Sequence, residues 1–179
     1  MSLWYEGYLA FDIKPDAPGK IITTLEYLTR IEDYSFEDFP SHEFFSTNGW
    51  RNFLQIETEP SGVPGLFWSD FRFITRSIHR DKVISRHTLS FRRVMHDDVE
   101  FNILWWNFLF WIAPYVETKG FIGFYRETYS LHPEIIYMSN GKIFTKEIKS
   151  NPKGWRHGEA WNSVFDESQD NLPEWLKGN

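Results

Sequence analysis

The chain has 179 residues and a mass of 21.5 kDa, the size of one domain, and its 41% apolar and 25% charged residues exclude a disordered, collagen-like or coiled-coil chain. It contains no cysteine, which excludes a disulfide framework, a thiol nucleophile and a cysteine zinc or iron–sulfur site. The formal net charge of −6 argues against general nucleic-acid binding, although residues 66–96 hold seven basic and two acidic residues and form a local basic island.

The first third of the chain predicts a strand, a helix and a long irregular connection. Large apolar residues alternate over residues 4–13, which predicts a strand that ends before Pro15. Apolar residues then recur at helical spacing after Pro18, which predicts a helix over residues 18–30. Residues 31–65 show no regular spacing of apolar residues, although residues 51–57 could form a short strand. A connection of this length is a candidate functional surface.

Residues 66–79 and 83–95 predict a pair of strands joined by Arg80-Asp81-Lys82. Pairing around this connection puts Phe71 opposite Phe91, Phe73 opposite Leu89, and Thr75 opposite His87 on an inner face. On that face we expect His87 to be a packed core histidine rather than a metal ligand. Asp70 is expected opposite Arg92, and the outer face collects four arginines: Arg72, Arg76, Arg86 and Arg92. Guanidinium groups bind carboxylates and phosphates in pairs, so this stripe is a candidate anion-binding face; the alternative is a solvated face balanced by acidic loops.

Asp97-Asp98 predicts the N-cap of a second helix, over residues 97–113, that ends before Pro114. Its apolar residues form two stripes, and the sheet can cover only one of them. The second stripe, near Trp106 and Phe110, needs the C-terminal tail, the long connection, a partner or a second copy of the chain, which would make a homodimer.

Residues 120–129 predict a further strand, and residues 134–138 and 142–148 predict a hairpin closed by Asn140-Gly141. This succession of elements predicts an α+β fold in which two helices cover an antiparallel sheet of ferredoxin-like order with an added strand. We expect one domain, with an α+β core over residues 1–150 and a Trp-rich tail over residues 151–179 packed on that core. The expected core residues are Phe71, Phe73, Leu89, Phe91, Trp105 and Phe108.

No motif for catalysis is complete. The six histidines show no zinc-ligand spacing, His96-Asp97 is better explained as a helix start than as a catalytic dyad, and neither a nucleophile elbow nor a P-loop is present. We therefore predict a protein without catalytic residues, metal or cofactor. No signal peptide or membrane-spanning run is visible, so we expect a cytoplasmic location.

A second candidate surface is acidic and aromatic. Within residues 31–40 it combines carboxylates with large rings, and the residues predicted to bind a partner are Tyr34, Phe36, Glu37, Asp38 and Phe39. One interpretation is a docking surface for a basic protein; the other is a solvated loop whose aromatic residues fold back on the core.

Trp-Ile-Ala-Pro at residues 111–114 ends a predicted helix, and Gly-Phe-Ile-Gly-Phe-Tyr at residues 120–125 opens a strand. In a small, acidic, aromatic-rich chain without cysteine, these features resemble the immunity proteins that bacteria encode beside polymorphic or contact-dependent toxins. The resemblance implies a noncatalytic inhibitor that masks a toxin domain, such as a basic nuclease. The alternative from the residues themselves is a nucleic-acid-binding or RNA-processing protein that uses the arginine face.

Overall fold

A computed structural model describes residues 3–29, 38–55, 68–78, 82–130 and 132–147. Two α-helices lie within these ranges, α1 (Gly19–Thr29) and α2 (Trp106–Ile112), and a π-helical stretch, Asp97–Trp105, leads directly into α2. The strands are β1 (Trp4–Asp12), β2 (Trp68–Ile78), β3 (Lys82–His96), β4 (Gly120–Glu127), β5 (Glu134–Ser139) and β6 (Lys142–Glu147). Short 3₁₀ turns are Glu43–Ser46, Trp50–Asn52 and Ala113–Tyr115.

The six strands form one sheet in the order β2-β3-β1-β4-β5-β6, and each described pair of neighbours is antiparallel. The α+β prediction with an antiparallel sheet is therefore confirmed. The predicted Asn140-Gly141 hairpin is also confirmed. Both residues have left-handed backbone angles, with φ of 50° and 72°, which a two-residue hairpin turn requires.

The core lies on the face of the sheet that carries the odd-numbered residues of β1 and β3. Leu9 and Phe11 of β1, for example, are buried in the same cluster as Leu25 of α1 and Phe108 of α2. Of the predicted core, four members are buried: Leu89, Phe91, Trp105 and Phe108. Phe71 is half-buried, and the prediction for Phe73 is wrong, because this side chain is 61% exposed. Phe73 lies opposite His87, beyond Thr88, the last β3 residue that pairs within β1, and so outside the covered part of the sheet.

The predicted register of the β2–β3 pair is wrong by two residues. Phe71 lies opposite Leu89 and Phe73 opposite His87, because Ile78 pairs with Lys82 and the connection is formed by residues 79–81. Asp70 consequently faces Ser90 rather than Arg92. A shift by two positions preserves which side chains share a face, since side chains alternate with a period of two. The four predicted arginines therefore stay on one face.

The second helical segment lies where it was predicted, but its cap is different. His96, rather than Asp97-Asp98, is the N-cap, and its Nδ1 accepts a hydrogen bond from the Asp98 N–H at 3.5 Å. The α-helical part ends at Ile112 and Pro114 lies in the 3₁₀ turn that follows, as expected for a residue that cannot continue a helix.

The short strand expected at residues 51–57 is not found over residues 51–55, where a 3₁₀ turn stands instead; residues 56 and 57 lie outside the described residues. The predicted tail, residues 151–179, also lies outside them. Within the described ranges, no helix has the length and apolar character needed to cross a membrane.

Candidate functional site

The even-numbered residues of β1, β2 and β3 lie on the face opposite the core cluster, which contains the buried residues of both helices, and no described helix packs on that face. One line of side chains crosses all six strands in register. We name it the cross-sheet row, and it consists of Trp68, Arg92, Tyr8, Phe124, Ile135 and Lys146. The row places aromatic, aliphatic and cationic groups from six separate strands on one surface.

Three aromatic rings, from β2, β1 and β4, belong to this row. The Tyr8 ring is 6.0 Å from the ring of Trp68 on one side and 6.0 Å from that of Phe124 on the other. All three side chains are half-buried, so each leaves part of its surface to solvent. Gly123 permits this arrangement, because an added Cβ there would lie 1.9 Å from the carbonyl oxygen of Tyr8. Glycine therefore lets β4 approach β1 closely and bring Phe124 opposite Tyr8.

Glu6 connects two arginines next to the aromatic rings. Arg92 Nε donates to Glu6 Oε1 at 2.8 Å, and Arg126 Nη2 donates to Glu6 Oε2 at 2.8 Å. Burial alone would raise the pKa of Glu6, but the hydrogen bonds and positive charges of Arg92 and Arg126 outweigh it and lower that pKa. The carboxylate therefore stays ionised and holds both guanidinium groups in place beside Tyr8.

Two more predicted arginines are paired on the same face. Arg76 donates to both carboxylate oxygens of Asp12, at 2.8 and 3.3 Å, and to the Thr88 hydroxyl at 2.9 Å. Arg72 Nε donates to Asp70 at 2.8 Å, and this hydrogen bond, together with the negative charge of Asp70, raises the pKa of Arg72. These pairs neutralise most of the predicted stripe.

Arg86 differs from the other arginines of this face. Its Nη1 donates a hydrogen bond to the backbone oxygen of Ser85, at 2.9 Å, and no carboxylate within the described ranges pairs with it. It lines an open cavity of about 110 Å³. The other lining residues are Asp12, Ile74, Arg76, Ile84 and Glu117. Two cationic and two anionic side chains border this cavity, so its formal charge is balanced.

The acidic-aromatic segment is only partly described, since Tyr34, Phe36 and Glu37 lie outside the described residues. Asp38 is exposed and binds Lys20 at 2.6 Å. Phe39 packs edge-on against Trp50, with the ring centres 4.6 Å apart, and is half-buried. Phe39 therefore folds back on the rest of the chain, as expected for a solvated loop, whereas the carboxylate of Asp38 faces outward.

The second stripe of the helical segment remains partly uncovered. Phe110 is 58% exposed, and Val99 and Ile103 are exposed on the same segment. Trp106 is half-buried because its ring packs edge-on against Tyr125, at 5.4 Å. This surface lies on the opposite side of the sheet from the cross-sheet row.

The histidines expected to be structural have packing or capping contacts. His87 is half-buried rather than a core residue, and its ring is 5.5 Å from that of Phe71 and 5.0 Å from that of Phe73. His96 Nδ1 lies 2.9 Å from Asp98 and 3.2 Å from Asp97, and ligand atoms of these three residues come within 4.8 Å of one another. Because the same groups cap the helical segment, this cluster does not indicate a metal site.

Sequence reasoning identified the arginines of this face but missed Tyr8, Trp68, Phe124 and Glu6. Their alternation within strands was visible, but their common row depends on which strands become neighbours.

Comparison of the chain with protein-family models, with curated proteins and with solved structures gives no match in any of the three.

Proposed function

We propose that this protein is a noncatalytic protein-binding module that docks its partner on the cross-sheet row. The observation that carries the proposal is the side-by-side placement of Trp68, Arg92 and Tyr8 on a face without a covering layer in the described structure. Trp, Tyr and Arg are the residue types most often responsible for binding energy at protein interfaces. Phe124 and Ile135 extend the same surface with apolar area.

The charge pattern of this sheet face favours a protein, rather than a polyanion such as nucleic acid, as the binding partner. Arg72, Arg76, Arg92 and Arg126 bind carboxylates of this chain, so they are already oriented and largely neutralised. Rigid, paired guanidinium groups lose little side-chain entropy when a partner docks and can still donate hydrogen bonds to it. A partner surface of aromatic residues and scattered carboxylates matches this face.

The specific form of protein binding that we propose is immunity-type inhibition of a toxin domain in the cytoplasm of a bacterium. It rests on the resemblance of residues 111–114 and 120–125 to such proteins. The acidic-aromatic segment, residues 34–39, stays a predicted surface for a basic partner.

We also propose that the fold is the ferredoxin-like plan extended by the β5–β6 hairpin, because β4-β1-β3-β2 is the strand order of that plan.

The proposal is tested by capture of a partner from the native host, followed by titration of the purified pair. Tyr8→Ala should weaken the complex at least about tenfold if Tyr8 lies at the centre of the interface. Tyr129→Ala is the matched control, because it removes the same ring from a turn outside the row where Tyr129 is 74% exposed. Equal affinities for wild type and the Tyr8 variant would refute docking on the row. If the double variant Glu37→Lys, Asp38→Lys loses binding and the Tyr8 variant does not, the interface is the acidic-aromatic segment instead.

Nucleic-acid binding is the second candidate, favoured by Arg86, which has no carboxylate partner in the described structure, and by the aromatic rings on which bases could stack. Titration of labelled single-stranded RNA at several salt concentrations tests it. A binder should lose affinity steeply with salt, and Arg86→Ala should reduce the slope. Absence of binding at low salt would eliminate this candidate.

A further inference from the structure

The strand β2 forms an edge of the sheet that lacks the usual protection. It pairs with β3 over eleven consecutive residues without a bulge, contains neither proline nor glycine, and has no second strand beside it within the described residues. Natural edge strands are normally short or carry proline, bulges or charged side chains, above all lysine, which prevent pairing with another chain. Of these devices β2 has only charged side chains, Asp70, Arg72 and Arg76, and no lysine lies between Trp68 and Ile78. The opposite edge, β6, has six residues, including Lys142 and Lys146. Of the two sheet edges that the described residues form, β2 is therefore the better suited to accept a further strand.

The backbone groups of β2 that face outward follow from the ladder on the other side of β3. Ile13 N donates to His87 O at 2.8 Å, so odd-numbered residues of β3 direct their backbone groups toward β1 and even-numbered residues direct them toward β2. The same alternation turns the odd-numbered residues of β2 away from β3. These residues are Ser69, Phe71, Phe73, Thr75 and Ser77.

We propose that β2 pairs antiparallel with β2 of a second copy of this chain, about a two-fold axis at Phe73, and so joins two sheets into one. Phe73 is the middle residue of β2, so this register pairs the strand over its whole length. It brings the Phe73 ring, 61% exposed in one chain, against the partner's Phe73. Self-pairing is independent of the proposed partner binding, because it uses the strand edge rather than the cross-sheet row.

Charge complementarity selects this register. With the axis at Phe73, Asp70 lies opposite the partner's Arg76, and the symmetric contact repeats it. An axis at Arg72 would put Arg72 opposite the partner's Arg72, and an axis at Ile74 would put Arg72 opposite the partner's Arg76. Both registers are unfavourable because like charges repel. Within one chain Asp70 already binds Arg72 and Arg76 already binds Asp12. Pairing therefore joins two ion pairs into a line of alternating charges.

Sedimentation over a range of concentrations tests the proposal, with two variants of β2. Thr75→Pro removes an outward N–H that the β3 ladder does not use, and Phe73→Lys places a cation opposite its own copy. Each should weaken self-association at least about tenfold. Phe110→Lys is the matched control, because it makes the same change at a 58% exposed phenylalanine of the helical stripe, and it should leave association unchanged. Circular dichroism verifies that each variant is folded.

Amide hydrogen exchange supplies a readout that does not depend on substitutions. The N–H groups of Phe71, Phe73 and Thr75 should exchange more slowly as protein concentration rises. The proposal is overturned if wild type stays monomeric at every accessible concentration, or if these amides show no dependence on concentration in a dimer. Dissociation by Phe110→Lys but not by the β2 variants would assign the dimer to the helical stripe instead.

Discussion

Gly7 lies directly beneath the indole ring of Trp105, and its replacement tests how tightly the sheet packs on the helical segment. A Cβ at position 7 would lie 2.5 and 2.6 Å from Cη2 and Cζ3 of Trp105 and 2.9 Å from Cε of Met95. Carbon atoms in contact prefer about 3.5–4.0 Å, so the ring would have to move by about 1 Å. Trp105 is fully buried, which leaves it no free space for that movement.

The expected cost of Gly7→Ala combines two opposing effects. Overpacking of a tight core costs about 1–3 kcal/mol, and the lower entropy of the unfolded alanine chain returns about 0.4–1 kcal/mol. We expect a net loss of about 1–2 kcal/mol in the free energy of unfolding, or about 2–8 °C in Tm for a chain of this size. Urea denaturation should show a lower midpoint with an unchanged slope.

Gly19→Ala is the matched control, because no atom lies within 4 Å of the position of its Cβ, at the first residue of α1. It should be neutral or slightly stabilising. Trp105→Phe removes the atoms that obstruct the new methyl group, so the two changes together should cost less than the sum of the single costs. Equal stability of Gly7→Ala and wild type would refute the close contact and the placement of the helical segment on β1.

Two further outcomes follow from ion pairs. Because the pKa of Glu6 is lowered in the folded protein, the ionised carboxylate contributes its full stabilisation above the ordinary value of 4.5. The free energy of unfolding should therefore fall as the pH decreases through the lower, folded-state pKa. Glu6→Gln should flatten this decline in urea midpoints measured against pH. Arg93 is 6% exposed and donates to Asn52 O and Phe53 O at 3.1 Å and to Glu100 Oε1 at 3.0 Å, so Arg93→Met should cost about 3 kcal/mol in thermal or urea unfolding. The same substitution at exposed Arg72 should have a much smaller effect, because water screens its ion pair, and equal losses at both positions would contradict this difference in burial.

The local elements of this protein are determined by its sequence. Asn140-Gly141 encodes a hairpin because these residues accept left-handed backbone angles, and Pro114 ends the helical segment because proline has no N–H to donate. Alternation of side chains keeps Arg72 and Arg92 on one face even though the predicted register was wrong by two residues. These features depend only on residues that are close in the chain.

The tertiary structure alone decided which strands became neighbours. Glu6 meets Arg92, 86 residues away, and Arg126, 120 residues away, because β1 lies between β3 and β4. The same order aligns Tyr8 with Trp68 and Phe124, and it leaves Phe73 beyond the end of β1, where an inward-facing ring stays exposed. Periodicity reports which face of its own strand a side chain occupies but contains no information about the strand beside it. That choice is made by packing over the whole core, and it creates the candidate site.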